Sequence, residues 1–105
     1  MRLHSHEIQA IEQAAVRVFP AGTVIYLFGS RLDDTARGGD IDLLVESPVA
    51  LSAQDLVDKR TRFIAQLYLQ LGEQRIDVAI AKAGEDDSRS VVKIARNQGR
   101  KIVQT

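Results

Sequence analysis

The chain has 105 residues with seven glycines, two prolines and no cysteine, and its 14 basic side chains balance 14 acidic ones. That length fits one domain, residues 1–105, whose core can bury roughly two-thirds of the surface exposed by the unfolded chain. The lack of cysteine excludes a thiol nucleophile, a disulfide framework, an iron–sulfur cluster and any Cys-based zinc site.

The first ten residues, MRLHSHEIQA, lack the unbroken apolar stretch of a signal peptide, and no segment approaches the roughly 18 apolar residues of a membrane span. A soluble cytoplasmic protein with no membrane association is expected. Zero net charge argues against direct nucleic-acid binding, yet it conceals an asymmetry. Residues 1–58 carry four basic and nine acidic groups, whereas residues 59–105 carry ten basic and five acidic groups.

In chain order, Ser5 is placed to cap a first helix running to about Phe19, with Ile8, Ile11, Ala15, Val18 and Phe19 at helical spacing before Pro20 and Gly22 end it. His4 and His6 lie two apart at that start and do not share a face as i, i+4 ligands do, so they are expected to be structural or disordered. Residues Thr23–Phe28 are β-branched and aromatic and read as a buried strand. A polar loop, Gly29–Gly39, then leads into Asp40–Glu46. Its alternation sends Ile41, Leu43 and Val45 to one face and Asp40 and Asp42 to the other.

Ser52, with Asp55 three residues on, caps a long second helix whose stripe is Leu56, Phe63, Ile64, Leu67 and Leu71, with Gly72 at its end. Arg75–Ala81 is a third strand, with Ile76, Val78 and Ile80 opposed to Asp77, Ala79 and Ala81. A third helix is expected over Ser88–Gln98. Arg89, Lys93, Arg96 and Arg100 then fall on one stripe if it continues: a solvated face by default, a phosphate or acidic-partner contact as the functional reading. Tyr26, Phe28, Phe63 and Tyr68 fall on the apolar pattern and are assigned to core packing. The fold class is α/β (α+β), a mixed β-sheet flanked by about three helices.

Three carboxylates stand out. If the strands carrying Asp40 and Asp42 on one side and Asp77 on the other are neighbours, all three converge. Carboxylates crowded beside an apolar sheet need a compensating cation, and hard oxygen ligands select magnesium or manganese. Directly after the first strand, Gly29 lets backbone approach a ligand closely, Ser30 donates to phosphate oxygens and Arg31 either adds charge there or pairs with the turn residues Asp33 or Asp34. No P-loop, dinucleotide-binding or serine-hydrolase motif is present, and the EF-hand pattern fails at Leu44.

The run LFGSR, nine residues between Ser30 and Asp40, DIDLLV, and a later RIDVAI resembles the signature of the DNA polymerase β-like nucleotidyltransferase superfamily, and in length its minimal nucleotidyltransferases. Minimal members commonly place ten residues in the interval, so the difference falls on loop geometry. The resemblance implies a small nucleotidyltransferase core. In it Asp40 and Asp42 hold two magnesium ions on a nucleoside triphosphate, Asp77 completes one site and draws the acceptor proton, and Gly29, Ser30 and Arg31 bind the nucleotide.

It also implies a partner. Minimal members are typically paired with a small helical HEPN-family protein, often as antitoxin to an RNase toxin, and some transfer AMP from ATP to a tyrosine on it. The alternatives are a non-catalytic antitoxin acting by complex formation, or a small-molecule (aminoglycoside-type) nucleotidyltransferase made whole by a homo-oligomer.

Overall fold

The computed structural model describes residues 2–33 and 39–105. The elements run α1 (Ser5–Val18), β1 (Val24–Phe28), a 3-10 turn (Gly29–Leu32), β2 (Ile41–Ser47), α2 (Ala53–Leu71), β3 (Ile76–Lys82), α3 (Ser90–Gln98) and β4 (Arg100–Gln104). The four strands form one mixed sheet in the order β3-β2-β1-β4. β1 is antiparallel to both β2 and β4, and β2 is parallel to β3 with α2 as the crossover.

Strand alternation divides the sheet into two faces. Ile25, Leu27, Ile41, Leu43, Val45, Ile76, Val78, Ile80 and Val103 join α1 and α2 in the larger core, which holds Ile11, Ala15, Phe63 and Leu67. On the opposite face Phe28, Leu44 and Ala81 pack with Val92 and Ala95 of α3, with Tyr26 and Ala79 at the margin. The small Ala79 and Ala81 let α3 lie close to β3, and the same face carries Asp42 and Asp77. The alternation expected from the sequence is observed for Asp42 and Asp77, whereas Asp40, expected to share the strand face of Asp42, precedes β2, which begins at Ile41.

Four expectations are corrected. The N-cap of α1 is His4, not Ser5, because the carboxylate of Glu7 reaches back to accept the His4 N–H at 2.9 Å. α3 begins at Ser90 rather than Ser88, since Asp87 takes the Arg89 N–H at 3.0 Å and holds the preceding turn outside the helix. The helix ends at Gln98, so Arg100 belongs to a fourth strand that the sequence pattern did not reveal, and the four basic residues do not share one helical stripe. Tyr68 lies on the outer face of α2, 41% exposed, instead of in the core. Phe63 is in the core, edge-to-face with Phe19 at 5.1 Å. His4 and His6 are exposed and stack with ring centroids 5.7 Å apart. The second helix is capped as expected, the Asp55 N–H donating to Ser52 Oγ at 3.1 Å.

Candidate active site

The C-terminal end of β1 and the start of β2 meet through two glycines. Gly29 has φ +78°, and a Cβ there would run into the Asp42 carboxylate. Gly39 has φ +95°, and a Cβ there would run into Ser30 Oγ. Each glycine thus makes room for a polar side chain of the other segment, which brings Ser30 beside the backbone that leads into Asp40. Asp34 lies outside the described residues, as does the rest of 34–38.

Asp42 is flanked on both sides. Its register partner on β1 is Phe28, and on β3 it is Asp77. Burial raises the Asp42 carboxyl above its ordinary value, and the charges of Asp77 and Asp40 raise it further, as does a hydrogen bond shared with Asp77. Two carboxyl groups side by side with one of them favouring its proton is the electrostatic state expected where a cation is to be received.

Asp40 sits just outside β2 and faces Arg75, whose Nε is 3.6 Å from Oδ2. Among the described residues no group of three or more His, Asp or Glu side chains converges on one point to cage a metal. The sheet brings Asp42 and Asp77 together, while Asp40 contributes its charge from the strand entrance. The paired donors still fit a hard divalent cation: they are oxygen-only, anionic and mutually repelling.

The Arg31 guanidinium is engaged within the fold. It donates to the Gly39 carbonyl (3.3 Å), the Arg2 carbonyl (3.0 Å) and Gln74 Oε1 (3.5 Å), and lies 4.0 Å from the buried Glu7 carboxylate. Arg2 completes the clamp by donating to the carbonyls of Ser30 (3.0 Å) and Asp33 (2.7 Å). The basic residues toward the C-terminus are also tied down. Arg89 forms a two-pronged pair with Asp87 (2.9 and 2.8 Å), and Arg96 bonds Glu46 (3.0 Å) and two backbone carbonyls. Lys93 is exposed.

A cleft of about 240 Å³ opens at the carboxylates, lined by Phe28, Asp42, Arg60, Asp77, Val78, Ala79 and Val91. Phe28 and Arg60 were not singled out as site residues by their sequence pattern. Phe28 is explained by its register with Asp42. Arg60 has no local sequence signal, since its place depends on how α2 packs on β3.

A glycine-lined turn after one strand, with carboxylates in register on the next two, defines the core of a nucleotidyl-transferring enzyme. The family model for the nucleotidyltransferase domain matches residues 8–102, and the chain belongs to that family, within the DNA polymerase β-like superfamily. No curated protein matches the chain. Members of the family generally use a nucleoside triphosphate and a divalent metal. Among the described residues no helix is long and apolar enough to cross a membrane.

Proposed function

We propose that the protein transfers AMP from ATP, with magnesium, to a tyrosine hydroxyl of a HEPN-family toxin, and that it acts in the cytoplasm as the antitoxin of that pair. The observation that carries the transfer is the register pairing of Asp42 with Asp77 beside the Gly29–Ser30 turn. Asp40, Asp42 and Asp77 would hold two magnesium ions, which when bound neutralise the phosphate oxygens.

The chain's own residues then have distinct tasks. Gly29 gives the phosphates access to backbone, and Ser30 supplies a hydroxyl donor to them. Arg31 serves the nucleotide through the loop, since its bonds to Gly39 and Arg2 fix the segments carrying Ser30 and Asp40. Asp77, exposed at its strand position, accepts the proton of the acceptor hydroxyl. The acceptor oxygen forms a bond to the α-phosphorus as the bond from that phosphorus to the bridging oxygen breaks, and pyrophosphate leaves.

The test is incubation with labelled ATP, magnesium and the product of the adjacent reading frame, alongside Asp42→Asn. Label on the partner that disappears in the variant is expected; an unlabelled partner sinks the transferase reading.

A second reading, neutralisation by complex formation alone, draws on apolar side chains that α2 leaves exposed, Val57 at 68% and Leu69 at 82%. Neutralisation that survives Asp40→Ala and Asp77→Ala would favour it.

A further inference from the structure

The cleft at Asp42 and Asp77 does not end there. Arg60, Val78, Ala79 and Val91 line both this cleft and an adjoining one of about 320 Å³, which continues past Leu56, Val57, Ile80 and Arg89. Together they form one groove along β3 between α2 and α3. β3 is an edge strand, and the sheet order places it on the opposite side of β2 from β1, whose end carries the Gly29–Ser30 turn. With the phosphates on the β1 side, the groove lies on the side from which an acceptor reaches Asp77.

Two arginines line this groove, and they differ. Arg89 donates to the Ile80 carbonyl at 2.6 Å and is neutralised by Asp87. Arg60 donates through Nε to the Val78 carbonyl at 3.0 Å, and among the described residues no carboxylate pairs with it. Its terminal nitrogens are left without an ion-pair partner among the described residues where the two clefts meet. The Nε bond pins the side chain, which reduces the ordering cost of binding an anion. The same two bonds engage the Val78 and Ile80 carbonyls, so an extended chain pairing with β3 at those positions has to compete with both arginines.

We propose that this groove is the acceptor site and that Arg60 selects a polypeptide acceptor bearing an acidic residue next to the hydroxyl. The inference rests on the transferase reading above and adds the substrate feature that reading leaves open. The apolar walls Val78, Ala79 and Val91 receive the ring of the acceptor residue. A neighbouring carboxylate is drawn to Arg60, which fixes the direction in which the segment lies.

The probes are random copolymers of glutamate with tyrosine and of lysine with tyrosine, incubated with labelled ATP and magnesium. The wild type is expected to label the glutamate copolymer preferentially. Arg60→Ala should raise the KM for that copolymer about tenfold, the size of one lost charge-assisted hydrogen bond, with the KM for ATP unchanged. Arg60→Lys should recover part of the loss, and Arg60→Glu should shift preference to the lysine copolymer.

Calorimetric binding of magnesium-ATP separates the two levels. Wild type that binds no ATP overturns the transferase reading and this inference with it. ATP binding with labelling of neither copolymer, with labelling indifferent to Arg60, or with an oligonucleotide hydroxyl labelled in preference overturns the inference alone.

Discussion

Asp42 and Asp77 face each other across the parallel strands β2 and β3, and the Asp77 charge adds to the burial that raises the cost of ionising Asp42. The folded protein therefore holds the Asp42 proton to higher pH than the unfolded chain does. Stability falls as pH rises from the ordinary value of 3.8 through the raised folded value, and above that window the penalty is complete. Asp42→Asn should accordingly raise the thermal midpoint at neutral pH in metal-free buffer while abolishing labelled transfer. A lowered midpoint in that scan would contradict the electrostatic account. Magnesium should raise the midpoint of the wild type and have little effect on the variant, because only the native pair binds the ion.

Gly29 and Gly72 share a positive φ, +78° at each, but not an environment. A Cβ at Gly72 meets nothing within 4 Å, whereas one at Gly29 meets the Asp42 carboxylate. Alanine at either position should cost about 1–3 kcal/mol from the left-handed backbone. Gly72→Ala should retain kcat, and Gly29→Ala should lose it by displacing Asp42. Parallel denaturant melts and transfer assays decide the matter; equal activities would show that close approach to Asp42 is unimportant.

Arg31 presents its planar donors to several acceptors at once, which a lysine ammonium cannot reproduce. Arg31→Lys is expected to lower stability and kcat together, with the KM for ATP changed little. A large rise in that KM alone would instead identify Arg31 as a direct phosphate ligand.

At the start of α3, the side-chain hydrogen bonds from Arg89, followed by its backbone N–H, lower the Asp87 carboxyl to about 2. Its contribution to stability is present above the unfolded value of 3.8 and is lost as pH falls through about 2. Acid titration of the wild type against Asp87→Asn should show a stability difference that is constant near neutrality and disappears at the acid end. A difference that persists below the folded value would mean that packing, not the ion pair, holds this turn.

The family was legible, and so was the side-by-side placement of Asp42 and Asp77, because both rest on local rules. Strand alternation sent Asp42 and Asp77 to one face, and glycine marked the places where backbone and carboxylate crowd together. β4 was not legible: its five residues carry only Ile102 and Val103 as apolar partners, and it becomes a strand by covering the free edge of β1. The start of α1 turned on whether Ser5 or Glu7 satisfies the first turn, a choice between two good caps. Arg60 was invisible for a different reason, since the end of a long side chain is located by the helix packing beneath it.

The strict alternation in β2 and β3 also guards how the sheet assembles. A reversal of faces in β3 would turn Asp77 into the layer that holds Ile11, Phe63 and Leu67 and would leave Val78 and Ile80 on the α3 side. Enclosing an unpaired carboxylate there costs far more than any cross-strand side-chain pair could offset. Asp77 thus serves during assembly as a marker of correct pairing, disfavouring misaligned sheets before any substrate is met.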